Sequence, residues 1–241
     1  MRVYIGYDQK QRDASEVCKY SIQKNASTYI EVVDLKKDIL IKNELYYRPD
    51  GDPSSTDFTY TRFLVPYLSN YSGWSMFCDN DFVFTDDIYS IMDDIMWDPY
   101  VNNRAVYVVQ QPEYIPASDT KFYGEQQLTF PRKNWSSFML FNNGHPACKK
   151  LNPFSVSNQS PQWLHRFEWC SDHNIGGLAH DWNFLVGDHE FDEYSIPRGI
   201  HFTNGGPFNG VWGQDYEEIW LNEWDEFTGL AFPGGSMDLK V

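Results

Sequence analysis

The sequence predicts an α/β fold: one domain built around a central, mostly parallel sheet, with an elaborated C-terminal half. Three observations carry this. A strand, a helix and a second strand follow one another within residues 2–33, and that order joins parallel strands. The apolar run Met76-Phe77-Cys78 ends in two aspartates one residue apart and is followed by a second apolar run, Phe82-Val83-Phe84. No linker, internal repeat or low-complexity tract divides the 241 residues, a length that suits one large domain with a substantial core.

The elements follow in order. Arg2 to Tyr7 alternates Val3, Ile5 and Tyr7 against Tyr4 and Gly6 and is the first strand. From Gln11 to Lys24 apolar residues fall at Ala14, Val17, Cys18 and Ile22, which is helical spacing. Ile30 to Val33 is the second strand. Residues 43–56 are polar and turn-rich, with Pro49-Asp50-Gly51-Asp52-Pro53 at their centre. Ser55 or Thr56 is placed to cap a helix carrying Phe58, Arg62 and Leu64, which Pro66 bends or ends. Trp74 to Cys78 is the strand before the aspartates, and Thr85-Asp86-Asp87-Ile88 opens a helix that runs to Met96. Ala105 to Val109 and Ser137 to Phe141 are strands. Beyond Pro146 the chain is mixed, with a helix expected over Trp163 to Asp172. The aromatic and acidic tail after Gly210 is expected to wrap the domain.

Composition narrows the function. With 19 Lys and Arg against 34 Asp and Glu, the formal charge is −15. Such a surface repels nucleic acid and anionic membranes. An anionic substrate then needs a cation, or a local Arg/Lys cluster, to reverse the field. No apolar stretch is long enough for a membrane-spanning helix. The short apolar run at Met1 to Asp8 reads as a strand rather than a secretory leader, so a cytoplasmic location is expected. The cysteines at 18, 78, 148 and 170 form no C-x-x-C pair and are expected as reduced, mostly buried thiols. Aromatic residues make up 17% of the chain. They stack on sugars and bases, but they also fill cores, and composition favours the core.

The candidate chemistry starts at Asp79 and Asp81. If the strand ends before them, the turn aims both carboxylates at one point, and hard oxygen ligands suit Mg²⁺, Mn²⁺ or Ca²⁺. Asn80 between them is a candidate substrate contact. A third ligand has to come from elsewhere, and His201 is the candidate. It follows Ile200 and precedes Phe202-Thr203-Asn204-Gly205-Gly206-Pro207. Imidazole favours Mn²⁺ over Mg²⁺, and the amides of Gly205 and Gly206 are candidate phosphate donors. Arg62 is the lone cation between Thr56 and Leu68; it either clamps a diphosphate or carboxylate, or is a surface Arg, or holds Asp79 in place. Asn142, or Ser136 and Ser137 in the same strand, are candidates to bond sugar hydroxyls. In His180-Asp181-Trp182-Asn183, Asp181 is the candidate to touch the reacting sugar, with a helix cap as the alternative, and Asn183 a further substrate contact.

In this order the features resemble the glycogenin-like retaining glycosyltransferases of GT-A fold, with their uncharacterised bacterial and phage relatives. The likeness spans roughly residues 2–212. It rests on Tyr4-Ile5-Gly6-Tyr7-Asp8, the Arg62-bearing segment Thr56–Leu68, Asp79 and Asp81, the strand entering Phe141-Asn142, Asp181-Trp182-Asn183, and His201 to Pro207. The resemblance implies a GT-A domain over residues 1–241 and transfer of a sugar from a UDP-sugar to an acceptor hydroxyl with retained configuration. It also implies Mn²⁺ (or Mg²⁺) held by Asp79, Asp81 and His201, and a nucleoside held by Tyr7 and Asp8. Two departures stand out. The family's C-terminal loop carries a Lys after its glycine, and Asn204-Gly205-Gly206-Pro207 has none, so backbone amides or Arg62 take its place. The Asp181 segment also lacks the usual Gln-Asp pair. The rival readings are a glycoside hydrolase, which needs two well-separated carboxylates, and a non-catalytic carbohydrate-binding protein, which has no use for Asp-x-Asp at a buried strand end.

Overall fold

A computed structural model describes residues 1–49, 54–112 and 131–230. The predicted turn at Asp50–Pro53 and the end of the acidic tail, residues 231–241, lie outside the described residues. The strands are β1 (Arg2–Gly6), β2 (Glu31–Leu35), β3 (Trp74–Cys78), β4 (Phe82–Phe84), β5 (Val106–Val109), β6 (Phe138–Asn142), β7 (Ile175–Leu178), β8 (Phe184–Leu185) and β9 (Gly199–His201). The helices are α1 (Arg12–Asn25), α2 (Lys37–Lys42), α3 (Val65–Leu68), α4 (Ser90–Met96), α5 (Pro153–Asn158), α6 (Pro161–His165) and α7 (Glu217–Thr228).

Six strands form the main sheet in the order β2-β1-β3-β6-β5-β7. β1 runs parallel to β2 and β3, and β5 parallel to β7. β6 is antiparallel to both of its neighbours, β3 and β5. The sheet is therefore mostly parallel, as predicted, with one reversed strand in the middle. Its inner strands β1, β3, β5 and β6 are buried on both faces. Val3, Ile5, Met76 and Cys78 enter one apolar cluster, and Tyr4 and Phe77 enter another. Alternate side chains of a strand point to opposite faces, which is how one run supplies two cores.

A second sheet, β4-β9-β8, stands at the end of β3. Its residues Val83 and Ile200 pack with Val17 of α1 and Trp220 of α7. The acidic tail thus does fold back as a helix, and Lys24 of α1 pairs with Glu223 and Glu226 of α7 at 2.8 and 2.6 Å. Trp169, Trp182 and Trp220 are fully buried, so the core claims these tryptophans. Cys18, Cys78 and Cys148 are buried free thiols, and Cys170 is a half-buried one.

Two helix expectations are corrected. The Arg62 segment has no Ser55 or Thr56 side-chain cap; it is a 3-10 turn over Thr61–Leu64 that leads into α3. Pro66 sits in the first turn of α3, where its missing N–H is no loss, so it starts the helix rather than ending it. The helix expected over Trp163–Asp172 is α6, begun by Pro161 and capped by the Ser160 hydroxyl on Trp163 N at 3.1 Å. It ends at His165, and Phe167 with φ 58° turns the chain away. Gly6 at the end of β1 is required by a close approach: a Cβ there would lie 2.4 Å from the Phe58 ring. Phe58 lies against this strand end, and it brings residues 54–64 over the edge where the aspartates emerge.

Candidate active site

β3 ends at Cys78 and β4 begins at Phe82, so Asp79, Asn80 and Asp81 form the turn between two buried strands. The backbone holds that turn from two sides. Asp79 N donates to Ser137 O at 2.8 Å, and Phe202 N donates to Asp81 O at 2.9 Å. The antiparallel pairing of β4 with β9 sets Phe82 opposite His201. The imidazole stacks on the Phe82 ring, with centroids 4.3 Å apart and planes 17° from parallel. One ligating atom each from Asp79, Asp81 and His201 falls within 4.8 Å of the others. The structure brings the three predicted metal ligands together.

Their hydrogen bonds define what this cluster can hold. Asn183 is fully buried. Its Nδ2 donates to Ser137 Oγ at 3.0 Å and Asn134 O at 3.3 Å, so Oδ1 is the atom that faces His201 Nδ1 at 2.9 Å. Nδ1 therefore carries a proton, and Nε2 faces Asp81 Oδ1, 3.2 Å away. Asp79 Oδ1 and Asp81 Oδ1 are buried with no hydrogen-bond partner among the described residues. Arg62 Nη1 lies 2.8 Å from Asp79 Oδ1, but its hydrogen bond goes to Ser136 O at 2.8 Å, so the carboxylate contact is an ion pair. Burial pushes the Asp79 carboxyl up to about 7, with Arg62 pulling it down and Asp81 raising it. Burial also pulls the Arg62 guanidinium below its ordinary value, opposed by Asp79 and then Asp81. Two buried carboxylates that repel each other and an imidazole nitrogen meet at one point, with Arg62 as the neighbouring cation. A hard divalent cation satisfies all three, and the donor set fits one.

The cluster lies in a cleft of about 620 Å³. One wall is Gln11, Thr56, Phe58 and Thr59; the other is formed by residues 131–137 and by Pro161, Gln162, His165 and Arg166. His165 Nδ1 bonds Ser136 Oγ at 2.8 Å. Burial, together with the charges of Arg62 and Arg48, drives this imidazole down to about 3, so it is neutral at pH 7.

Other predicted site residues have different surroundings. β6 is antiparallel to β3, which pairs Asn142 with Trp74 at the far end of the sheet, where its Nδ2 donates to Arg104 O at 3.1 Å. Ser136 and Ser137, which lead into β6, lie at the end that meets Asp79. Asn80 points away from the cleft into α1, donating to Gln11 O at 3.3 Å and Ser15 Oγ at 3.1 Å. Asp8 caps a turn, accepting from Lys10 N at 2.9 Å and Asp57 N at 3.3 Å. The Tyr7 hydroxyl donates to Gln9 Oε1 at 2.7 Å, and Lys36 Nζ lies 4.4 Å from its ring centroid. Asp181 is 46% exposed at its side chain and forms a two-pronged pair with Arg198, at 2.8 and 3.1 Å, outside the cleft lining. The amides of Gly205 and Gly206 are used within their own turn, donating to Phe202 O at 2.8 Å and Asn209 Oδ1 at 2.9 Å. Gly205 has φ +98°, and a Cβ there would lie 2.9 Å from Asn209 and Val211, so this glycine serves the turn. Arg62 lines the cleft but is occupied with Asp79, the last of its sequence readings, and is buried rather than a surface Arg. Asn183 holds His201 rather than facing the cleft.

Sequence reasoning passed over His165, Arg132, Lys133 and Arg166. The signal available was Arg132-Lys133, adjacent cations in a strongly acidic chain.

No family model matches the chain. Protein CDI of Arabidopsis thaliana is 39% identical over 231 residues, covering 94% of this chain and 87% of that protein. Among solved structures, the glycosyltransferase GlyE of Streptococcus pneumoniae TIGR4 superposes with a TM-score of 0.59 at 14% identity, covering 98% of this chain and 65% of its own. The bifunctional glycosyltransferase WbbM gives 0.57 at 13% identity over 93% of this chain, which spans about half (49%) of WbbM. The galactosyltransferase LgtC, solved with donor and acceptor sugar analogues, gives 0.54 at 12% identity, covering 95% of this chain and 97% of its own. The fold is that of the GT-A glycosyltransferases.

Proposed function

The chain belongs to the family of Arabidopsis thaliana Protein CDI, and from that premise we propose that it is a metal-dependent glycosyltransferase. It takes a sugar from a nucleoside-diphosphate sugar, a UDP-sugar in this reading, and passes it to an acceptor hydroxyl. The observation that carries the proposal is the convergence of Asp79, Asp81 and His201 on one point of a cleft in a GT-A fold. Asp79 and Asp81 with His201 Nε2 hold Mn²⁺ or Mg²⁺. When bound, the cation supplies Lewis-acid neutralisation of the charge that develops on the leaving diphosphate.

The chain's own residues prepare that site. Asn183 fixes the His201 tautomer, and Arg62 keeps Asp79 in place while offsetting its charge. Gln11, Thr56, Thr59, Ser136, Ser137 and neutral His165 line the cleft that would take the nucleoside and the sugar. The glycogenin-like resemblance extends the proposal to a retaining hexosyl transfer by one domain over residues 1–241, acting in the cytoplasm without nucleic acid. No helix among the described residues is long and apolar enough to cross a membrane. A glycosidase is disfavoured because Asp79 and Asp81, the acidic residues lining the cleft, sit together as one cluster instead of facing each other across a bond.

The test is a thermal-shift titration with UDP, with Mn²⁺ and in excess chelator. A melting temperature raised by UDP only when Mn²⁺ is present supports the proposal, through the linkage of binding to stability. Equal UDP affinity in chelator defeats it.

A further inference from the structure

The cleft reverses the sign of the protein around it. Its lining carries Arg62, Arg132, Lys133 and Arg166 against two acidic residues, Asp79 and Asp81, in a chain whose formal charge is −15. Arg62 is already the partner of Asp79. The other three cations, Arg132, Lys133 and Arg166, line the same cleft. Arg132 lies 5.3 Å from the centroid of the Trp135 ring and donates to the Arg166 carbonyl and to Asp172 Oδ1. Its side chain is 21% exposed, while that of Asp172 is 84% exposed. An exposed carboxylate holds its partner weakly and exchanges with a competing one. Lys133 Nζ stands 4.0 Å from Asp188 Oδ2. Arg166 is exposed. A guanidinium braced by a ring and a carbonyl is a ready fork for a planar carboxylate.

We propose that this wall is an anion subsite for an acidic group carried by the sugar substrate, so that the enzyme works on acidic sugars. The inference rests on the glycosyltransferase reading and names its substrate class. The acidic group arrives either on the donor sugar or on the acceptor. The cations are surplus to the metal cluster, where Arg62 already faces Asp79. They line the cleft together with His165 and Ser136.

The experiment compares UDP, UDP-glucose and UDP-glucuronic acid for binding to the full chain with Mn²⁺, in wild type, Lys133→Ala and Arg166→Ala. Arg166→Ala removes an exposed side chain, and Lys133→Ala gives a second variant that leaves the Arg132–Trp135 brace untouched. If the donor is acidic, UDP-glucuronic acid binds about tenfold or more tighter than UDP-glucose, the scale of a charge-assisted hydrogen bond, and each variant erodes that ratio while UDP alone keeps its affinity. A second arm measures binding of oligogalacturonate and a neutral oligosaccharide to protein saturated with UDP and Mn²⁺. If the acceptor is acidic, only the oligogalacturonate binds, and the variants weaken it. Either pattern supports the subsite. UDP affinity that itself falls in both variants assigns the cations to the diphosphate and overturns the inference. So does UDP binding with no preference for charge in either arm, which leaves the transferase reading standing. No UDP binding in the presence of Mn²⁺ overturns both.

Discussion

Asn183→Ala isolates the contact that aims His201. In the wild type, the Asn183 amide accepts from His201 Nδ1 at 2.9 Å while donating to Ser137 Oγ and Asn134 O. Alanine leaves the imidazole N–H without an acceptor in a site where His201 is 2% exposed. An unsatisfied buried donor costs about 1–3 kcal/mol, so the melting temperature falls. The ring is also freed to protonate Nε2, the ligating atom, and loss of such a supporting hydrogen bond typically weakens metal binding about 10–100-fold. The assay is a Mn²⁺ titration of UDP-dependent thermal shift, with the apo melting curve measured beside it. Asn183→Asp separates the two effects. Its carboxylate still accepts from Nδ1–H, so Mn²⁺ affinity recovers, but the two donations are lost and the apo protein stays destabilised. If Asn183→Ala lowers the melting temperature but leaves the Mn²⁺ midpoint within about twofold of wild type, far less than that range, Asn183 only fills the core and the positioning argument fails.

Asp81→Asn should abolish Mn²⁺-dependent UDP binding and turnover, while the apo protein melts no lower than wild type because the Asp79–Asp81 repulsion is relieved; retained turnover would return Asp81 to the role of a turn residue. The pH dependence follows from the raised Asp79 carboxyl. Between its ordinary 3.8 and about 7 the folded apo state keeps a proton the unfolded chain has released, so apo stability falls as pH rises through that window. A cation competes with that same proton, so Mn²⁺ affinity measured by titration should climb toward pH 7, and a flat profile would contradict the burial argument. Asp181→Ala removes one carboxylate from an exposed pair with Arg198 and should cost less than about 1 kcal/mol with near-normal turnover; a large loss of kcat in a normally melting variant would restore Asp181 as catalytic. Gly205→Ala forces φ +98° and a 2.9 Å contact onto an alanine, so it should destabilise the fold by more than about 1 kcal/mol while UDP affinity at saturating Mn²⁺ is retained.

Much of the fold was legible in the sequence because its signals are local. The β1-α1-β2 order, the span Trp74–Cys78 and the turn holding Asp79 and Asp81 are written in adjacent residues, and a buried strand that stops leaves its polar end exposed to the cleft. His201 was readable as a candidate for the same reason, as a histidine between an apolar strand and a glycine turn. Its convergence with the aspartates was a tertiary matter: the β4–β9 pairing sets it opposite Phe82, 120 or so residues upstream in the chain. Strand direction is the clearest case of what sequence withholds. Ser136 to Asn142 reads as a polar-flanked apolar run from either end, and only the antiparallel placement of β6 sends Asn142 away and brings Ser137 to Asp79. The partners of Asp8, Asn80, Asp181 and Gly206 were equally hidden, since polar groups near a cleft bond whichever donor or acceptor folding brings within reach. The cationic wall is assembled from residues 132, 133 and 166, whose charges add only when packing sets two distant loops side by side. The sequence by itself determined which residues are candidates for a metal site; the packing of β4, β6 and β9 decided which of them face one another.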